Sequence, residues 1–407
     1  MHTSPRARWR NYLLYFGAGS LLLPAAVAGF NYLVDPYLIH QWDTAQVQRL
    51  RPTREKLAAW GKTYAVARFQ PAVVYLGNSR TELGLPTRTP MFAGQSVFNS
   101  ALSGASIGDA IALARHANAV SQLRVVVWGI DPPSFSMEVG NTDLNGELIA
   151  DGPFYLARRG LINARRALSV DMTRDSIRLL TGSFGEVCHS SLLFHGQRDD
   201  ACIDLRIGGW GGTAPAILPR TREYIRGAGP TPEAYLAFGN SVSALCRSGA
   251  QLRLYINPTH AMMLDALYWA GKWTALETWQ GWLANTAAEQ RAKGCDLRVF
   301  DFSGYNSITT EAIPQASQRK DMVHYWETSH YRSNVGAMIL ARMFGGKDQP
   351  LPDDFGVELT PQALPFHLAS LRSGRNRYHR EHALETSLAR AVAAEQARLK
   401  LSAAKSD

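Results

Sequence analysis

The sequence predicts an α/β fold in which a parallel sheet is covered by helices on both faces and is preceded by a single transmembrane helix. Three observations carry this expectation. Short runs rich in β-branched and aromatic residues, at 72–77, 96–99, 124–130, 251–256 and 296–302, alternate with longer stretches of helical character. Residues 12–34 contain no charged side chain, and at 1.5 Å per helical residue they span about 34 Å, enough to cross the hydrocarbon core of a bilayer. The chain of 407 residues, 46% of them hydrophobic, is long enough to bury one large core or two modest ones.

The elements follow in chain order. Residues 1–11 form a basic tail, with Arg6, Arg8 and Arg10 ahead of the apolar stretch, whereas the first basic residue after it other than histidine is Arg49. The positive-inside rule therefore puts the tail in the cytoplasm and the bulk of the chain across an inner membrane, in a Gram-negative periplasm or its equivalent. A cleaved signal peptide competes with this reading, because Ala25-Ala26-Val27-Ala28 offers small residues to a peptidase. The length of the stretch and its continuation through Phe30, Tyr32 and Tyr37 favour an uncleaved, single-pass anchor. Residues 35–71 read as a linker and a leading helix at 53–69.

The main domain is expected over 72–345. Its first strand, 72–77, is followed by a second at 96–99, a helix at 107–121 and a strongly apolar strand at 124–130. Thr231-Pro232-Glu233 opens a helix to 247, with a capping hydroxyl and proline at the first helical position. Strand 251–256, a helical region at 260–292, strand 296–302 and a final helix at 334–343 complete the alternation. Residues 136–230 break it. They include Gly208-Gly209-Trp210-Gly211-Gly212 and a helical segment at 154–180 but no clear strand, and read as an insertion over the carboxyl edge of the sheet, as a substrate cap or a purely structural one. Beyond 346 lies an extension with a helix whose Leu384, Leu388, Val392 and Leu399 make only a narrow stripe, so it is expected to be solvated or to contact a partner.

The four cysteines lack a Cys-x-x-Cys spacing, and no metal-ligand cluster is evident, so neither a metal nor another cofactor is expected. An even count in an exported domain favours disulfides, and sequence neighbours would pair Cys188 with Cys202 and Cys246 with Cys295; free buried thiols are the alternative. The net charge of +9 raises the question of nucleic acid, but the basic residues are scattered and follow an export signal. Anionic lipid headgroups or an acidic envelope polysaccharide suit such a surface better.

Two segments far apart carry the chemistry. Val73-Val74-Tyr75-Leu76-Gly77-Asn78-Ser79-Arg80 is a strand that stops at a tight turn, which places Ser79 at the carboxyl end where open α/β sheets bind ligands. Trp326-Glu327-Thr328-Ser329-His330-Tyr331 supplies a base and an acid. If Glu327 and His330 sit three apart in a helical turn, they share a face, so the carboxylate can orient the imidazole that activates the serine.

These residues carry a family resemblance. Gly77-Asn78-Ser79-Arg80 resembles the nucleophile block of the SGNH/GDSL-type hydrolases, and Glu327-Thr328-Ser329-His330 resembles their closing Asp-x-x-His block. Asn99-Ser100-Ala101-Leu102-Ser103-Gly104-Ala105-Ser106 resembles the glycine block, and Trp128-Gly129-Ile130-Asp131 resembles the Gly-x-Asn-Asp block. The resemblance covers 72–345 and implies a flavodoxin-like three-layer sandwich with Ser79, His330 and Glu327 as catalytic triad. It also implies an oxyanion hole from the backbone amides of Ser79 and Gly104. Two departures stand out: the triad acid is Glu, one methylene longer than Asp, and Asp131 occupies the position of the family's oxyanion-stabilising Asn, although a carboxylate cannot donate unless protonated.

Arg80 is either a structural ion pair or a binder of anionic substrate. His260, in Asn257-Pro258-Thr259-His260, ends a strand and opens a helix, so it either contacts substrate or serves its helix start. His324 and Tyr325 are expected to pack. The resulting expectation is a membrane-anchored serine esterase or O-acyltransferase acting on acyl esters of envelope glycans. The anchored family members that the chain looks like, among them the D-alanyl transfer protein of teichoic acids and exopolysaccharide acetylation proteins, imply the glycan. The alternative is a non-catalytic accessory protein binding an envelope polysaccharide or a membrane acyltransferase, and a third reading is a lipid-directed esterase.

Overall fold

The computed structural model describes residues 5–37, 39–40, 55–138, 140, 142, 144–183, 195–198, 200–209, 211–315, 322–346 and 351–403. It begins with helix α1 (Pro5–Val34), in which residues Arg8–Val34 are long and apolar enough to cross a membrane, with a mean hydropathy of 1.7. Leu21, Leu22 and Leu23 are at least 69% exposed, as lipid-facing side chains would be. Helix α2 (Glu55–Phe69) leads into β1 (Val73–Leu76), and the short α3 (Ser79–Gly84) follows directly. Then come β2 (Val97–Asn99), α4 (Ile107–Val120) and β3 (Val125–Ile130).

Among its described residues the insertion forms four α-helices, α5 (Tyr155–Ala167), α6 (Val170–Leu180), α7 (Asp200–Gly209) and α8 (Thr213–Arg226). The segment at 154–180 is thus two helices rather than one, because Ser169 caps a new start by accepting from the Met172 N–H. The chain continues through α9 (Pro232–Arg247), β4 (Gln251–Ile256), α10 (Ala261–Trp269), α11 (Trp273–Ala292) and β5 (Leu297–Asp301). A hairpin of β6 (Tyr325–Glu327) and β7 (His330–Tyr331) precedes α12 (Ser333–Phe344), and β8 (Val357–Glu358), α13 (Leu364–Glu381) and α14 (Ala383–Ala403) follow.

The main sheet runs β2-β1-β3-β4-β5-β8 and is parallel except for β8, which pairs antiparallel with β5. That edge strand lies beyond residue 345, where the sequence placed the end of the domain, so the sheet draws on the extension as well. The strands are buried on both faces, which explains why they read as continuous apolar runs. Val74, Leu76, Val126, Trp128, Leu252 and Leu254 turn to one side, where α4, α9, α10 and α11 cover them. Val73, Tyr75, Val125 and Val127 turn to the other, where Val335, Ile339 and Met343 of α12 meet them. Each such side chain contributes about 1.5–3 kcal/mol relative to exposure.

Two expectations need correction. The carboxyl-terminal helices are not merely solvated: Leu371 and Tyr378 of α13 and Ala389, Val392 and Ala393 of α14 belong to the main core. The leucine stripe understated this face, because it is alanines that let α14 lie close against its neighbours. The insertion also divides. Ile203 and Ile207 of α7 pack with Leu83 and Trp326 beside the strand ends, whereas Ile162 of α5 and Met172 of α6 pack with Tyr37, Trp60 and Tyr64 near the end of α1.

Cys246 and Cys295 form a disulfide across a sequence separation of 49, joining the ends of α9 and α11. The other expected pairing involves Cys188, which lies outside the described residues. On loop entropy a closed ring of this size is worth about 4 kcal/mol. Replacing both residues (Cys246→Ser with Cys295→Ser) should therefore lower the unfolding free energy by roughly that much, as read from urea denaturation of the full chain in detergent.

Candidate active site

Ser79 owes its position to a backbone that few residues could follow. Gly77 has φ +145°, and a Cβ there would come within 2.8 Å of the Gly129 carbonyl oxygen. The chain thus turns sharply out of β1, and the Asn78 side chain caps α3 by accepting the Arg80 N–H at 3.1 Å. Ser79 becomes the first residue of α3, partly exposed, at the carboxyl end of the sheet.

Glu327 and His330 reach it from a hairpin rather than the expected helical turn. They are directly opposed across β6 and β7, with only Thr328 and Ser329 between them, so the spacing of three brings them together by strand pairing. His330 Nε2 lies 2.8 Å from Ser79 Oγ, and Nδ1 contacts Glu327 Oε1. The other carboxylate oxygen accepts the Ser329 N–H at 2.6 Å, and Arg220 of α8 stands 3.7 Å from Oε1. Burial works to raise the Glu327 pKa, but His330, Arg220 and the Ser329 amide outweigh it and hold the carboxyl below its usual range. The acid is therefore ionised beside the imidazole.

The tip of the hairpin is fixed from two sides. Arg80 donates to the Ser329 carbonyl at 3.0 Å and to its hydroxyl at 2.9 Å, and the His260 N–H donates to the Thr328 carbonyl at 3.3 Å. The remaining guanidinium nitrogen of Arg80 is 3.3 Å from Asp131, and the guanidinium carbon lies over the ring of the buried Tyr224 of α8, 5.1 Å from its centroid. Arg80 is itself buried. All three of its guanidinium nitrogens are thus engaged within the protein.

Asp131 faces donors, not a substrate oxygen. Its Oδ2 accepts from Asn78 and Asn257, each at 2.8 Å, in addition to the contact with Arg80. Oδ1 is buried without a hydrogen-bond partner among the described residues. In this arrangement Asp131 is an acceptor, and the carboxamide donors nearest it are already engaged. Asn257, which the sequence reading passed over for its neighbour His260, thus proves the more central of the two. From Asn257 a chain of hydroxyls runs beneath the site, through Tyr331 at 3.1 Å and Tyr255 at 3.1 Å to Thr81 at 2.8 Å. Gly129 makes room for it, since a Cβ there would lie 2.1 Å from Thr81 Oγ1.

His260 is wholly buried. One ring nitrogen contacts the Glu311 carbonyl at 2.6 Å and the other accepts the Met262 N–H at the start of α10, so it caps its helix. Tyr325 is buried with its hydroxyl on the Pro258 carbonyl at 2.8 Å, and His324 lies 3.3 Å from Glu311.

The loop that carries Gly104 runs beside Ser79. The Ser100 N–H donates to the Tyr75 carbonyl at 2.8 Å and the Leu102 N–H to that of Gly77 at 3.1 Å, which carries the loop past the end of β1 to the exposed Gly104. Glu82 of α3 anchors this loop by accepting from the Ser103 N–H at 2.9 Å and its hydroxyl at 2.6 Å. Lys62 of α2 pairs with the same carboxylate at 2.8 Å, both side chains fully buried, and Arg198 adds a contact at 3.4 Å. Burial works to raise the Glu82 pKa, but Lys62 and Arg198 override it and hold it at about 2. The sequence offered no signal for Lys62, a lone basic residue within an ordinary helical pattern.

No family model matches this chain, and no curated protein matches it. Among the described residues no group of three or more His, Cys, Asp or Glu could hold a metal ion.

Two outcomes test this arrangement. Lys62→Met leaves the buried Glu82 carboxylate with Arg198 as its remaining cationic contact and should cost about 3 kcal/mol, read as a fall in the urea midpoint. In the parent, the part of that stability due to Glu82 is fully present above its ordinary pKa of 4.5 and is lost as pH falls through about 2. Asp131→Asn restores the amide of the resembled motif but leaves Arg80 without its carboxylate. It should lower the thermal midpoint, as melting curves would read.

Proposed function

We propose that the chain is a membrane-anchored, extracytoplasmic serine esterase or O-acyltransferase of the SGNH type, acting on acyl esters of envelope glycans. The observation that carries this reading is the alignment of Ser79 Oγ, His330 and the ionised Glu327, with Nε2 2.8 Å from the hydroxyl and Nδ1 on the carboxylate. That is the geometry an activated serine requires. The strand order β2-β1-β3-β4-β5 is the flavodoxin-like one, which supports the fold side of the resemblance. Helix α1 and the Cys246–Cys295 disulfide suit a single-pass protein whose globular part lies in an oxidising periplasm.

In this mechanism Ser79 Oγ attacks the ester carbonyl as His330 Nε2 takes its proton, and Glu327 stabilises the imidazolium that forms. The backbone N–H groups of Ser79 and Gly104 receive the oxyanion. Ser79 is the first residue of α3, so its N–H has no carbonyl within the helix. His330 then gives the proton to the departing alcohol, leaving an acyl group on Ser79. Attack by water yields hydrolysis, and attack by a sugar hydroxyl yields transfer. The glycan itself rests on the resemblance of the motif blocks and on the anchor that would hold the enzyme beside the envelope.

Asp131 favours the second reading, a non-catalytic accessory protein that keeps the fold and binds an envelope polymer or a membrane acyltransferase, because it removes a side-chain oxyanion donor. A fluorophosphonate serine probe separates the two. Wild type should label, Ser79→Ala should not, and His330→Ala should label at a rate about 10²–10⁴-fold lower. Folded wild type that stays unlabelled would favour the accessory protein.

A further inference from the structure

We propose that the α5–α6 pair is a second membrane contact, lying in the interface of the leaflet from which α1 emerges, with its arginines on anionic lipid headgroups. The proposal rests on α1 spanning a bilayer. Helix α1 is joined to this pair, not merely tethered near it. Asn31, fully buried in the last turn of α1, donates to the Ala167 carbonyl and to Thr173 Oγ1, each at 2.8 Å, and accepts from Ser176 Oγ at 2.8 Å. Just beyond, Asp35 accepts the N–H groups of Ile39 and His40, and the Tyr37 hydroxyl donates to Asp175 of α6 at 2.8 Å.

Length then fixes depth. A hydrocarbon core of about 30 Å takes roughly 20 helical residues, and counted from the start of the uncharged stretch these end near Asn31. The domain already touches α1 at Val27, through a groove of about 520 Å³ lined by Leu168, Val170, Ile177 and Arg174. The helices forming that groove therefore sit at the level where acyl chains give way to headgroups.

Their exposed side fits that place. Leu156, Leu161 and Leu168 of the α5 segment, with Ala157, Gly160 and Ala164 between them, form an exposed apolar stripe opposite the buried Tyr155 and Ile162. Val170, Ile177 and Leu180 extend it on α6, at 73%, 51% and 63% exposure. A helix apolar on both its buried and its outer face is ill suited to water but suits an interfacial position. Arg165, Arg174 and Arg178 are exposed around the stripe, and an anionic leaflet attracts such side chains.

The test uses the full chain in nanodiscs of phosphatidylcholine with phosphatidylglycerol, carrying one nitroxide at a time. Labels go on Leu156→Cys, Leu161→Cys, Val170→Cys and Ile177→Cys, on Leu22→Cys in α1, and on the exposed Leu236→Cys and Phe366→Cys of α9 and α13 as references. Collision rates with oxygen and with a water-soluble nickel complex report depth. The expected result is oxygen-dominated relaxation at the four α5–α6 positions and at Leu22→Cys, nickel-dominated relaxation at the references, and a shift of the four towards nickel when Arg165→Glu and Arg174→Glu are added. Nickel-dominated relaxation at the four with Leu22→Cys in lipid would overturn the proposal while leaving the anchor intact, and would return the stripe to a protein partner. Nickel-dominated relaxation at Leu22→Cys as well would remove the anchor too. Indifference to the arginine substitutions would remove the headgroup contact.

Discussion

Charge without water is the constraint around which the carboxyl edge of the sheet is arranged. Arg80, Glu82 and Asp131 all lie at strand ends or one turn beyond, and all are buried. An isolated charge in such a place is costly, so each is matched by an opposite charge or by several donors. Those matches connect elements that the chain order keeps apart. Glu82 ties α2 to α3 and the loop at Ser103, and Arg80 ties α3 to the hairpin and to the end of β3. The 2.8 Å contact between Ser79 and His330 is the result of that cross-bracing, since neither residue is held by the other alone.

The legible part of the fold was the part with strong periodicity. Strand β4 lies where its apolar run predicted, at 251–256, and the other core strands differ from expectation only at their ends. What escaped were features whose signal is tertiary. A two-residue strand such as β8 has too little sequence to show a pattern, and alanine-rich α14 hides its buried face because alanine is at home on either side of a helix.

The site was legible to a similar limit. Gly77-Asn78-Ser79 and Glu327-x-x-His330 are local motifs, and the structure brings their side chains together, though by a hairpin where a helical turn was expected. Tyr224, Arg220 and Lys62 are in no motif, and Asn257 stands out in the sequence only as the start of the segment that leads to His260. Each matters because of a partner far away in sequence, and burial of a polar group can be known only once the partner is in place. His260 shows the converse: its position at a strand end is that of a ligand-binding residue, yet both ring nitrogens are taken by the backbone.

Helix α8 links the site to the other end of the chain. It contributes Arg220 beside Glu327 and Tyr224 over Arg80, and its outer side is held by α14, where Arg222 meets Glu395 at 2.9 Å and Arg226 meets Gln396 at 3.2 Å. Ser79 is thus made early in synthesis, whereas the helix that seats its roof is made last of the described elements. The constellation is therefore complete only once that last helix has been made.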